Sequence, residues 1–151
     1  MKKESCNTIS KMQFKGYDVN KLFFEQVKGF GGSKYNVNPQ FFKKILKLAE
    51  NQYDITLGCR VISTEEEPFP FNIEVVLTGH FIVDNMSEEE NYLINENAVA
   101  ILFPYIRSTL SMLTLNANKN SLVLPTLNIV NLFKENKTDN KESEDVVKVT
   151  K

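Results

Sequence analysis

The sequence predicts an α+β domain in which an antiparallel sheet is followed by one long helix. Three observations carry this. Tyr53, Ile55, Leu57, Cys59 and Val61 recur at every second position, the period of a half-buried strand. Phe71, Ile73, Val75, Leu77, Gly79 and Phe81 repeat that period, with Asn72, Glu74, Val76, Thr78, His80 and Ile82 on the opposite face. The turn Glu65-Glu66-Glu67-Pro68 lies between the two runs, and strands joined by a short turn pair antiparallel. Third, Ile106, Leu110, Leu113 and Ala117 share one stripe of a helix. Tyr105 and Met112 widen that stripe to nearly half the circumference, while Arg107, Ser111 and Thr114 lie opposite. A stripe so wide calls for more packing than one sheet face provides, and a partner helix is a natural second surface.

The elements follow in order. Residues 1–10 are polar and are expected to be disordered. Residues 12–27 read as a strand in which Met12 and Phe14 alternate, Gly16-Tyr17 breaks the phase, and Leu22 and Phe24 resume it. A glycine at a phase break predicts a β-bulge. Residues 28–34 hold Gly29, Gly31 and Gly32 and form a flexible loop. Phe41, Phe42, Ile45, Leu46 and Leu48 fit either a helical turn or an irregular strand. The strands at 53–61 and 69–83 come next. Ser87 with Glu88, Glu89 and Glu90 offers an N-cap and a first turn of acids, so a short helix through Leu93 is predicted. Proline lacks an N–H and fixes φ, so the main helix should begin near Ile101 or at Pro104 and run to about Asn116. Pro125 pins a loop over 122–129, and 128–136 suits a short helix. The stretch 134–151 carries five lysines and five acids with few apolar residues. A disordered charged tail over 137–151 is expected, leaving 11–136 as the folded domain.

At 151 residues the chain suffices for one domain with a genuine core. A hydrophobic fraction of 42% and a charged fraction of 25% are ordinary for a globular protein. The net charge of −1 argues against nucleic acid as a partner. The sequence reading finds no apolar stretch long enough to cross a bilayer. Met1-Lys2-Lys3 opens like a signal peptide but no apolar core follows, which implies a cytoplasmic protein. Cys6 and Cys59 have no metal or redox spacing, and Cys59 reads as a small buried hydrophobe.

No motif for catalysis, cofactor or metal emerges. Gly29-Phe30-Gly31-Gly32-Ser33-Lys34 has Ser before Lys, the wrong order for a phosphate-binding loop. His80 has no Ser, Cys or paired carboxylate near it in sequence, so a nucleophilic triad is unsupported. The two Glu triplets lack the alternating ligands and central glycine of a calcium loop. The eleven Phe and five Tyr then stand out, as core or as an apolar groove. Apolar surface attracts many sequences without a recognition code, at about 25 cal/mol per Å² removed from water.

Two runs are distinctive: Ile101-Leu102-Phe103-Pro104-Tyr105-Ile106-Arg107, and Pro125-Thr126-Leu127-Asn128-Ile129-Val130-Asn131. They resemble the I-L-F-P-Y-A-R helix start and later P-x-L-N-L segment of the SecB protein-export chaperone family. The resemblance implies a four-stranded antiparallel sheet with one long helix and a short C-terminal helix. It also implies a homotetramer, a dimer of dimers, with Tyr105, Ile106 and Met112 at the helix interface. The implied activity is ATP-independent holding of unfolded, export-bound precursors for delivery to the SecA motor. Some SecB-like proteins instead protect the antitoxin of a toxin–antitoxin pair. Candidate client-groove residues are Phe41, Phe42, Tyr53, Leu57, Leu132 and Phe133. Leu22-Phe23-Phe24-Glu25 is similar to the family's I-S-F-E, and Ile73-Glu74-Val75 to its C-E-V. This places Glu25 and Glu74 at SecA-docking positions on the outer sheet face. A third acidic position of the family falls on Lys21, a charge reversal. The family's C-P-N before the main helix is Ala98-Val99-Ala100 here, and the segment after Asn128 is shorter. A different class of function, a small-molecule-binding or enzymatic α+β domain, would require His80, Glu74 and Arg60 to converge in a closed cleft.

Overall fold

Four long strands build the sheet: β1 (Met12–Gln26), β2 (Gln40–Ala49), β3 (Gln52–Val61) and β4 (Phe71–Val83). A 3₁₀ turn at Glu88–Glu90 and a π-helical segment at Leu93–Asn97 lead into α1 (Ala98–Asn116). The short α2 (Ile129–Leu132) follows, then a four-residue strand β5 (Asp145–Lys148). The structure is a computed structural model that describes residues 11–32, 34–124, 127–133 and 145–148. All neighbours pair antiparallel in the order β1-β4-β3-β2-β5.

The alternation in β3 and β4 is realised in full. Tyr53, Ile55, Leu57, Cys59 and Val61 are buried, as are Phe71, Ile73, Val75, Leu77, Phe81 and Val83. They meet Leu102, Ile106 and Leu110 of α1, all fully buried. Each such side chain contributes on the order of 1.5–3 kcal/mol relative to exposure. The helix approaches closely over Gly79, where a Cβ would lie 2.6 Å from Leu102 Cδ2. Burial of Cys59 pushes its thiol far above the ordinary value, so it stays a neutral hydrophobe.

β1 carries two register shifts, between Phe14 and Tyr17 and between Val19 and Lys21. The first contains Gly16 at φ 113°, the predicted glycine bulge. The ambiguous stretch 41–48 is strand, paired with β3 from Gln40↔Arg60 to Ala49↔Gln52. Its period was obscured because the core covers only its first half: Phe41 and Lys43 are buried, whereas 44–49 are exposed.

The helical expectations are corrected at several points. α1 begins at Ala98, a turn earlier than expected, and continues through Pro104. Helical residues over 88–97 already supply turns upstream, so the proline is an interior residue and not a start. Ser87 does not cap a helix through its side chain; its hydroxyl donates to Glu90 Oε1 at 3.0 Å. The helical run Glu88–Asn116 is long and apolar enough to cross a bilayer by length and composition, which the sequence reading missed. Its inner face instead lies against the sheet. Thr114, placed opposite the apolar stripe, is fully buried. The reason is local: 119–124 folds back along α1. Thr114 Oγ1 donates to Leu110 O and accepts from Leu122 N, each at 3.0 Å, and Ser111 Oγ donates to Leu122 O at 3.1 Å. The chain thus covers the Ser111–Thr114 flank of α1 itself, while the Tyr105–Met112 margin of the stripe stays exposed. At α2, Asn128 Oδ1 accepts from Asn131 N at 3.2 Å.

The N-terminal segment 1–10 and most of the tail, both expected to be disordered, lie outside the described residues. Within the tail, the backbone of 145–148 pairs with β2 as β5.

Candidate functional site

The side of the molecule where β4 begins carries a groove walled by aromatic rings. After the turn at 65–68, Phe69 N donates to Ser63 Oγ at 3.0 Å, and Ser63 N to Asn72 Oδ1 at 2.7 Å. These bonds fix Phe69, Pro70 and Phe71 as the chain enters β4. Val27 N donates to Pro70 O at 3.0 Å, so the connection after β1 leaves from the same point. That connection brings Tyr35 and Val37 across. Successive rings touch: Phe24–Phe71 at 5.0 Å, Phe71–Phe69 at 4.8 Å, Phe69–Tyr35 at 4.9 Å and Tyr35–Phe30 at 5.9 Å between centroids. The last three are edge-to-face, a favourable aromatic arrangement. The opposite wall is the segment held down by Thr114: Lys119, Asn120, Ser121, Leu122 and Val123. Between the walls is an open cavity of about 420 Å³. Tyr35 is 47% exposed and Val123 69% exposed, so both present apolar surface to whatever enters.

The sequence-predicted groove residues are placed elsewhere. Phe41, Tyr53, Leu57 and Phe133 are buried in the core, with the Phe41 and Phe103 rings 5.9 Å apart. Phe41, Leu57 and Phe133 pack within the core of the single chain, while Tyr53 borders the depression beside His80. Phe42 points to the outer face, where its ring covers Gly58 and Arg60 stacks 5.9 Å from its centroid. Leu132 is half-buried beside the core. Sequence reasoning did not single out Tyr35, Phe69 or Val123, which line this cavity. A usable signal was the doublet Phe69-Pro70-Phe71 against the aromatic and glycine-rich loop, yet periodicity cannot say that residues so far apart face one another.

The outer face of the sheet carries polar rows in which several charges are paired. Glu74 Oε2 lies 3.3 Å from Lys21 Nζ, so the reversed charge neutralises the carboxylate beside it. Glu25 is exposed on the same face, opposite Asn72. Arg60 Nε donates to Gln40 Oε1 at 3.0 Å. His80 sits between Asp54 Oδ1, 2.7 Å from its Nδ1, and Asp18 Oδ2, 2.8 Å from its Nε2. Carboxylates only accept, so the two contacts are both hydrogen bonds when both ring nitrogens carry a proton, and the pair of acids favours the imidazolium form. The hydrogen bonds to Asp54 and then Asp18 accordingly raise the His80 pKa above its ordinary value. His80 and Asp54 border a depression of about 240 Å³ that excludes Arg60 and Glu74. The polar groups thus form rows across strands and do not converge in a cleft. Among the described residues, no cluster of three His, Cys, Asp or Glu is placed to hold a metal.

On α1 the three residues assigned to an assembly interface separate. Ile106 is fully buried against the sheet, because its position on the helix faces inward. Tyr105 and Met112 are 37% and 59% exposed. Tyr105 packs on Tyr17 at 4.6 Å and Phe14 at 5.9 Å, continuing onto the exposed Val19 and Leu22 of β1.

Residues 11–140 match the family model described as preprotein translocase subunit SecB. The chain belongs to the SecB family. Protein-export protein SecB of Orientia tsutsugamushi (strain Ikeda) is 27% identical over 139 residues, covering 90% of this chain and 81% of that protein. The uncharacterized protein MJ0357 of Methanocaldococcus jannaschii is 31% identical over 122 residues, covering 74% of this chain and 70% of that protein. Among solved structures, the fold is shared with the Mycobacterium tuberculosis Rv1957 SecB-like chaperone. The TM-score is 0.60 at 18% identity, covering 77% of this chain and 90% of that one. That chaperone was solved in complex with a ChAD peptide from the Rv1956 HigA1 antitoxin. The SecB family comprises non-enzymatic protein-export chaperones, generally soluble and cytoplasmic, and this chain is a member with their sheet and long helix.

Proposed function

We propose that this SecB-family protein holds unfolded polypeptides without ATP, in the cytoplasm, through the aromatic-walled groove between Tyr35, Phe69, Phe71 and Leu122-Val123. The observation that carries the proposal is that groove: apolar, open, and floored by rings already packed edge-to-face. Apolar contact is non-directional, at about 25 cal/mol per Å², so such a surface accepts many extended segments and discriminates weakly among them. The folded unit is 11–136. Assembly is a homotetramer built on the uncovered strip of Tyr17, Val19, Leu22, Tyr105 and Met112. Phe41, Leu57 and Phe133 belong to the core beneath the sheet and helix, and Tyr53 lies at the other end of β3 from the groove.

The clients are export-bound precursors or a dedicated protein such as an antitoxin. The second class is favoured by one observation. Lys21 compensates Glu74 on the outer face, which leaves Glu25 as the uncompensated acid of the pair read as SecA-docking. Binding to SecA through Glu25 and Glu74 should then be weak and salt-sensitive. The decisive experiment is suppression of aggregation of a chemically unfolded protein. Suppression at equal strength with and without ATP is expected; suppression only with ATP would refute the reading.

A further inference from the structure

We propose that Asp18, His80 and Asp54 form a proton-controlled clamp that seats residues 17–19 of β1, and that through Tyr17 the clamp sets how strongly copies of this chain associate. The inference rests on the assembly reading above and names a group that regulates it.

β1 is a margin of the sheet, paired on one side with β4 and with no further strand among the described residues. Its two register shifts isolate a short ladder of Tyr17↔Gly79, Asp18↔Thr78 and Val19↔Leu77. Gly16, at φ 113°, opens the first interruption. Three residues between two breaks lean on their side chains more than an uninterrupted strand does. Alternation sends those side chains to opposite faces. On the outer face Asp18 Oδ2 lies 2.8 Å from His80 Nε2, and Asp54 Oδ1 lies 2.7 Å from His80 Nδ1. One ring thus ties three strands together, from β1 through β4 to β3. On the other face Tyr17 packs on Tyr105 of α1, with 4.6 Å between ring centroids. Tyr17 and Val19 are exposed and belong to the strip proposed for assembly. A shift of this short ladder is therefore felt on both faces.

An imidazole ring has one N–H when neutral and two when protonated. The protonated ring donates to both carboxylates. The neutral ring donates to one and turns a lone pair toward the other, and two acceptors repel. Asp18 is the acid that parts, because its side chain is 76% exposed against 21% for Asp54, and water replaces the lost bond. Thr78 Oγ1 donates to Asn20 Oδ1 at 2.6 Å, a tie with no titrating group, so the ladder loosens without leaving the sheet. The charged groups facing the ring are Asp18 and Lys15 from β1 and Asp54 from β3. β2 brings Leu48 to the same depression and places Lys44 opposite Thr56. The hydrogen bonds to Asp54 and then Asp18 raise the His80 pKa above 6.5. The clamp is accordingly closed at pH 6 and opens as pH rises through the raised value.

The test compares the full-length chain with its Asp18→Asn and His80→Gln variants. The carboxamide introduced by Asp18→Asn donates to a neutral ring and accepts from a protonated one, so that tie persists on both sides of the titration. His80 is the chain's one histidine, and its ring resonances report its protonation directly. Other groups that titrate between about pH 6 and 9 are common to all three proteins. Two quantities are read across that range: amide protection factors over 17–19, and the dissociation constant of the assembly by sedimentation on dilution. In the native chain protection over 17–19 should fall as the ring deprotonates. The dissociation constant should rise about threefold to fivefold, the partly exposed tie being worth no more. Both variants should lose this pH response, and Asp18→Asn should keep the protection that the native chain shows at low pH. Equal pH responses in all three proteins, or association that strengthens with pH, would overturn the proposal. Protection over 17–19 that ignores the ring's titration would overturn it too and leave the assembly reading intact. A chain that stays monomeric at pH 6 would refute the assembly reading and overturn the coupling with it.

Discussion

The two faces of the sheet are built by the same alternation and carry opposite chemistry. On the inner face β3 and β4 present an unbroken apolar row, closed by Leu102, Ile106 and Leu110 of α1. On the outer face polar rows run across the strands: His80 with Asp54 and Asp18, Thr56 with Thr78 and Asn20, Lys21 with Glu74. The inner face derives its stability from area and tolerates no voids. The outer face derives little from each pair but leaves few uncompensated charges. The difference teaches that sticky surface in this protein must come from somewhere other than either face proper. It comes from the margins: the groove where β4 begins, the strip along β1 and α1, and the open half of β2.

The largest effect should come from breaking the inner face. Ile106→Ala removes a fully buried side chain in the middle of α1, and should cost about 2–5 kcal/mol. A denaturant titration would show it as a lower midpoint at unchanged slope. Thr56→Val on the outer face, tested beside it, should cost far less, since Thr56 and Thr78 are only part-buried. Comparable losses at the two sites would erase the distinction.

That contrast was legible in β3 and β4 because one complete face of each is buried, so period 2 survives along their whole length. It was illegible in β2, whose core contact stops after Lys43, leaving Ile45, Leu46 and Leu48 exposed and the pattern mixed. Glycine at the β1 bulge could be read because only its place in the phase mattered. The groove could not, since Tyr35, Phe69 and Val123 are joined by tertiary contact alone, and hydrophobicity does not name neighbours. Asp145–Lys148 reads as polar tail because its pairing is supplied by an edge a hundred residues upstream. The inward turn of Thr114 was likewise hidden, as its partner Leu122 lies beyond the helix end.

A second prediction concerns the margin along α1. Met112→Asp adds charge at a site 59% exposed in the single chain, so folding should persist with a nearly unchanged unfolding midpoint. In a dry interface the same carboxylate costs several kcal/mol. Light scattering should show dimer or monomer in place of tetramer; an unchanged assembly would remove Met112 from the interface.

The smallest effect belongs to the outer face. The His80 pKa is raised in the folded protein by Asp54 and Asp18, against 6.5 unperturbed. Its contribution is therefore complete below pH 6.5 and is lost as pH rises through the folded value. The cluster is partly exposed, so solvent screening limits the contribution to less than about 1 kcal/mol. Stability of the native protein minus that of His80→Gln should decline toward alkaline pH. A difference that grows with pH would show that the ring is neutral in the folded state.

The central claim, that the aromatic-walled groove holds clients, is tested most directly at its two exposed walls. Tyr35→Ser with Val123→Ser removes apolar surface from both sides while leaving the buried Phe69 and Phe71 in place. The measurement is the affinity for an unfolded probe chain, taken alongside the unfolding midpoint of the same variant. The account predicts binding weakened severalfold or more at an unchanged midpoint. Undiminished binding by a folded variant would contradict it.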